Sequence, residues 1–169
     1  MSRTVPAGVR TGIERQASPD ALLGFATITH PNLAEPLRIV SDVLDYVRGG
    51  VTYTGVLFTF RLVSDGEEAA WTEIAVQNVD RRIGAALEAS QDRATVSLEV
   101  LSTSDFDLSV SPRTEIGAAA VVYAFRGFVL IEVSADAIEI RGKLRLRDYS
   151  TEPWPASRAT EDRLPGLFR

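Results

Sequence analysis

A chain of 169 residues with 45% hydrophobic residues and no cysteine holds enough apolar material for one core and excludes disulfides, thiolate metal sites and cysteine nucleophiles. Its 23 acidic and 18 basic residues are scattered and leave a net charge of −5, which argues against a phosphate-binding surface and so against nucleic acid as a directly read ligand. The first twenty residues lack a continuous apolar stretch and no later segment approaches the roughly 18 apolar residues that cross a bilayer, so the expectation is a soluble product of the cytoplasm.

Residues 1–20 mix Pro, Gly, Arg, Ser and Thr with only Val5, Val9 and Ile13 as larger aliphatics, and read as an arm outside the core. "LLGFATITH" at 22–30 then sets Leu23, Phe25, Thr27 and Thr29 against Leu22, Gly24, Ala26, Ile28 and His30, a strand with both faces at least partly covered. Two prolines make "HPNLAEP" a loop, and the β-branched "LRIVSDVL" suits a second strand. In "DYVRGGVTYTG" the Gly49-Gly50 pair can take the positive φ of a tight turn, so Tyr46, Val47, Val51 and Tyr53 flank a hairpin.

"VLFTFRLV" at 56–63 puts Val56, Phe58, Phe60 and Leu62 on one apolar face, and "WTEIAVQN" sets Thr72, Ile74 and Val76 opposite Trp71, Glu73 and Ala75. Between them "SDGEEAAW" is a polar turn. A short amphipathic helix is predicted over about 80–90, capped by Asn78 or Asp80, with Ile83, Ala86 and Leu87 on one face. Val96, Leu98 and Val100 form the apolar face of the next strand, and "AAAVVYAFRGFVLIEV" is an apolar run broken near Arg126-Gly127. "IEIRGKLRLRD" returns with Ile138, Ile140, Gly142, Leu144 and Leu146 facing in and Glu139, Arg141, Lys143, Arg145 and Arg147 facing out. The fold expected is mainly β, an antiparallel β-sandwich or barrel-like sheet carrying one helix over an open edge or end. Residues 21–148 would be that domain, between an extended N-terminal arm (1–20) and an extended C-terminal docking tail (149–169).

Catalysis finds little support. His30 is the sole histidine, and beside Pro31 it reads as a structural residue bonded to backbone. A nucleophile elbow of the form G-x-S-x-G is absent, as are glycine cradles for nucleotide phosphates. The carboxylate pairs Asp42/Asp45, Glu67/Glu68 and Asp105/Asp107 sit at turns and strand ends where solvation is the simpler reading, and "SDFD" lacks the glycine and terminal glutamate of a calcium loop. The expectation is a non-enzyme with no cofactor and no metal. Arg81 and Arg82 at the helix start either pair within the fold or reach an acidic partner. Trp154, between two prolines in "EPWPAS", and Leu167 and Phe168 in "RLPGLFR" would dock on their own body or a neighbouring subunit.

The ordered blocks "TITHPNLAEPLRIVSDV", "GGVTYTGVLFTF", "IAVQNVDRRIGAAL" and "EPWPASR…RLPGLF" resemble the DUF1833 family of tailed-phage tail proteins. The matching positions are His30-Pro31, Gly50 with Tyr53-Thr54, Asn78-Val79-Asp80-Arg81, and Pro165-Gly166-Leu167-Phe168; residues 1–20 match no family pattern. The resemblance implies a virion protein of a siphophage-type tail tip, similar to distal-tail and tube-like subunits that form rings between tail tube and tail hub. It implies a homo-oligomer, hexameric first and trimeric second, with tube and hub proteins as partners and a lumen through which DNA passes without being read. Gly49, Gly50, Tyr53, Arg81, Arg82, Trp154, Leu167 and Phe168 are the expected docking residues. Competing readings are a receptor- or glycan-binding module stacking sugars on Trp71 or Trp154, a tail assembly factor, and a cell-wall hydrolase built on the acidic pairs.

Overall fold

The computed structural model describes residues 5–62, 71–77, 92–136 and 138–146. The strands are β1 (Leu22–Thr29), β2 (Leu37–Val40), β3 (Tyr46–Arg48), β4 (Val51–Gly55), β5 (Phe58–Phe60), β6 (Trp71–Gln77), β7 (Thr95–Ser102), β8 (Phe106–Asp107), β9 (Arg113–Glu115), β10 (Tyr123–Ala135) and β11 (Glu139–Leu146). They form one open-ended series in the order β5-β6-β11-β10-β7-β1-β2-β4-β3-β9-β8. Pairing is antiparallel except between β2 and β4 and between β3 and β9. The mainly β architecture expected from the alternating sequence is the one the chain adopts.

The series curls back on itself through the link between β4 and β5. The Val56 N–H donates to the Val40 carbonyl at 3.0 Å, and the next carbonyl, on Leu57, accepts from Gln77 N–H at 3.2 Å. Two adjacent residues thus bond to β2 on one side and β6 on the other, which carries β5 across to face β1. Gly24 makes that approach possible, since a Cβ there would stand 2.6 Å from Cε1 of Phe60 and 3.3 Å from Cζ of Phe58. Inside the curl lies the larger core cluster, with Ala26, Ile28, Phe58, Leu98, Phe128 and Leu144 among its buried members. The smaller cluster, Leu23, Phe25, Val40, Tyr46, Leu101 and Phe106, fills the opposite face of β1 and β7. Burial of β1 on both faces follows directly, as its double alternation predicts.

The apolar run broken at Arg126-Gly127 is a bulge. Register on β7 shifts between Phe125 and Phe128, with Gly127 at φ 76°. Strict alternation would aim two residues three apart at opposite faces; the bulge lets both phenylalanines join the same core. Thr72, Ile74 and Val76 of β6 are buried as expected, and buried Thr72 donates its hydroxyl to the Arg61 carbonyl at 2.7 Å.

Three expectations need correction. Ile138 is 78% exposed, not inward, because the β10–β11 pairing ends at Ala135↔Ile140 and Ile138 lies in the turn, where Asp136 Oδ1 accepts from the N–H groups of Ile138 and Glu139. Leu62 is exposed because β5 stops at Phe60. The N-terminal arm is not simply extended, since it holds α1 (Ala7–Glu14), the one α-helix among the described residues. Pro6 stands just before it as the N-cap, with φ −53° and ψ 139°, and its carbonyl accepts from Arg10 N–H at 3.0 Å. The helix predicted over about 80–90 lies outside the described residues.

Candidate functional site

The hairpin predicted at Gly49-Gly50 forms. Tyr46↔Tyr53, Val47↔Thr52 and Arg48↔Val51 are paired. Gly49 and Gly50 take φ 55° and 76°, the two left-handed positions that close a two-residue turn with the sheet's own twist. The turn is also held from outside. Glu115 on β9 accepts the Gly49 N–H at 2.9 Å on one carboxylate oxygen and the Ala119 N–H at 2.7 Å on the other.

Behind the turn, Arg48 pairs with Glu99 on β7, and Arg126 reaches the same carboxylate at 3.1 Å. Burial alone would raise Glu99, but the hydrogen bonds and charges of Arg48 and then Arg126 outweigh it and hold the carboxyl below its ordinary range. At the base of β3, the buried Tyr46 donates its hydroxyl to Asp42 at 2.7 Å, while Arg113 contacts Asp42 at 2.9 Å and the same hydroxyl at 2.5 Å. Burial first, then the Asp42 hydrogen bond, pushes the Tyr46 hydroxyl above its ordinary value, which keeps it protonated as a donor. Tyr53 lies half-buried with its ring centroid 5.1 Å from that of Phe25, edge to face. Part of the Tyr53 side chain thus packs on the smaller core cluster of its own body.

Glu115 gives a pH prediction. The Ala119 N–H is the largest influence on its carboxyl; burial opposes it, and the Gly49 N–H and the charge of Arg48 add to it, so the group lies below the ordinary 4.5. A folded-state value below the unfolded one gives stability that is present above the unfolded pKa and lost as pH falls through the folded value. Wild type should therefore exceed Glu115→Gln in urea melts near pH 7, and the gap should shrink at about pH 3.5. A gap independent of pH would show that the carboxylate does not brace the turn.

Of the candidates for catalysis, Glu67 and Glu68 lie outside the described residues, while Asp42 and Asp45 accept from the Tyr46 hydroxyl and the Gly55 N–H. His30 is buried; its Nδ1 accepts from Asn32 N–H at 3.1 Å and its Nε2 lies 3.2 Å from the Asp92 carbonyl. The two contacts suit the neutral ring protonated on Nε2 and agree with the structural reading. Asp105 accepts Ala120 N–H at 2.9 Å, and Asp107 accepts both the N–H and the hydroxyl of Ser109. Among the described residues no group of three or more His, Cys, Asp or Glu side chains could hold a metal ion. A depression of about 530 Å³ beside β5, β6 and β11 is lined by Arg61, Glu73 and two ion pairs, Arg141 with Glu139 and Lys143 with Glu132.

Of the predicted docking residues, the structure brings Gly49, Gly50 and Tyr53 together. Arg81, Arg82, Trp154, Leu167 and Phe168 lie outside the described residues. Sequence reasoning missed Arg48, Glu99, Arg113 and Glu115 and read Asp42 only as half of a solvated carboxylate pair; their partners stand 51, 66 and 71 residues apart along the chain, and opposite charge was the sole signal for the ion pairs.

No curated protein matches the chain. Among solved structures, a chain of a "Virion of native gene transfer agent (GTA) particle" is similar, with a TM-score of 0.57 and 16% identity over 92% of this chain and 48% of that one. The present chain thus spans about half the length of that relative, and at this identity the likeness is one of fold. A domain of unknown function, DUF1833, matches residues 9–159. The match covers all eleven strands and their hairpins; it reaches back into residues 9–20, which the resemblance had left out, and stops short of the Pro165–Phe168 block, and the chain belongs to the DUF1833 family.

Proposed function

We propose that this chain is a structural subunit of a phage-like virion, placed at the tail tip as a ring-forming adaptor between tube and hub, and that it acts by assembly and not by turnover. The observation that carries the reading is the fold likeness, over 92% of the chain, to a component of a gene transfer agent virion. The physical form supports it. A ring subunit needs a rigid body and projecting elements that overlap its neighbours. Here two core clusters on either face of β1 make the body, while the Gly49-Gly50 turn, the β10–β11 turn and the α1 arm project. A hexamer is the first copy number to test and a trimer the second, with tube and hub proteins above and below. The net charge of −5 suits a lumen that lets DNA pass without adhesion.

Purified particles should contain the chain by mass spectrometry and show it as a ring layer by electron microscopy. A strictly monomeric protein missing from particles would sink the reading, and one present during assembly but missing from mature particles would make it an assembly factor. One observation favours a second reading, glycan binding. Trp71 is 54% exposed on the outer face, 6.0 Å from the Lys143 ammonium. Glycan-array signal lost on Trp71→Ala would support it.

A further inference from the structure

The helix α1 has nothing of its own to hold it. Eight residues fall short of the roughly 12–15 at which an isolated helix persists in water. This one contains Gly8 and Gly12, lacks a side-chain N-cap hydrogen bond, and has neither an acid in its first turn nor a base in its last. None of its residues is buried, and Ile13, four residues after Val9 on the same face, is 60% exposed. A helix in this state needs a surface to lie on.

One end of the sheet offers one. The β8–β9 hairpin is last in the strand order and exposes Leu108, Val110 and Ile116. Its residues 105–116 carry Asp105, Asp107 and Glu115 against Arg113 alone, whereas residues 1–16 carry Arg3, Arg10 and Arg15 against Glu14 alone. Apolar side chains thus face apolar side chains, and an acidic surface meets a basic arm. The arm leaves the body at a fixed point: Ala21 N–H donates to Thr103 Oγ1 at 2.9 Å, and the Ala21 carbonyl accepts from Thr103 N–H at 2.9 Å. Yet within one subunit Ile13 of the arm and Leu108, Val110 and Ile116 of the hairpin stay exposed, and Val9 is covered only in part.

We infer that α1 seats on the β8–β9 hairpin of a second copy of this chain, Val9 and Ile13 against Leu108 and Val110, with the arm's arginines facing the hairpin's carboxylates. Donor and acceptor are different surfaces, so the contact is head-to-tail and propagates until rotation closes a ring. The inference rests on the ring reading proposed above and names the contact that builds it. Its electrostatic part weakens as salt is raised.

The experiment uses light scattering coupled to size exclusion, with thermal melts alongside. The intact chain should assemble. Deleting residues 1–16, or replacing Leu108 and Val110 together with Asp, should each reduce the mass to that of one chain while the melting temperature of the subunit stays near that of the other monomeric variant. Mixing the two defective chains should restore a one-to-one dimer, because one retains the hairpin and the other the arm. The assignment is overturned if the arm-deleted chain keeps the intact mass, if the mixture stays monomeric, or if the deletion alone unfolds the subunit, which would place α1 on its own body. If the intact chain is monomeric and missing from particles, the ring reading itself has failed before any variant is compared.

Discussion

Replacing Phe25 with Ala should cost about 3–5 kcal/mol and loosen the β3–β4 and β8–β9 hairpins together. Phe25 is 2% exposed and is the hub of the smaller core. Its ring stacks on Phe106 at 5.6 Å between centroids and meets Tyr46 and Tyr53 edge to face at 5.8 and 5.1 Å. These partners come from β8, β3 and β4, elements of two to five residues that bury little surface by themselves. Removal of the ring therefore leaves a cavity shared by all of them, and short hairpins have few other contacts with which to close it. Urea denaturation should show the loss, and hydrogen exchange should show the amides of β3, β4, β8 and β9 exposed ahead of those in β7 and β10. A loss below about 1 kcal/mol, with hairpin protection intact, would mean that the smaller cluster does not hold the two hairpins.

Gly55→Val should be the most damaging of the small substitutions, by about 1–3 kcal/mol or more. A Cβ at Gly55 would lie 2.7 Å from the Leu44 carbonyl oxygen and 2.7 Å from the Val43 carbonyl carbon. Both are backbone atoms, so no rotamer change relieves the clash. The strand cannot back away either: Gly55 N–H is bonded to Asp45 Oδ1 at 2.8 Å, and Gly55 is registered against Val40 on β2. Relief would have to move the loop that also carries Asp42, and with it the Tyr46 and Arg113 contacts. Gly8→Ala is the control, because nothing lies within 4 Å of a Cβ there. Equal melting temperatures for the two variants would refute the steric argument.

Much of the local structure was legible because it depends on near neighbours. The glycine pair announced its turn, since adjacent left-handed positions have few other solutions. Thr72, Ile74 and Val76 revealed their buried face by period-two spacing, and Phe25 with Ala26 revealed that β1 is covered twice. The errors were local as well. Ile138 continued an alternating pattern one residue beyond where Asp136 had already turned the chain, and α1 hid in a segment whose glycines and proline resemble a loop.

Composition, alternation and turn chemistry by themselves determined that the chain is mainly β, where the Gly49-Gly50 hairpin falls, and, through short ordered blocks, which family it joins. Tertiary structure alone decided that β5 curls over Gly24, that Glu99 serves Arg48 and Arg126 together, and that Glu115 braces a turn 66 residues away. The physical reason is the range of the information. Side-chain alternation follows from the geometry of one strand, whereas the partner of a charge or an aromatic ring is set by strand order and register, which emerge when distant segments compete for the same core.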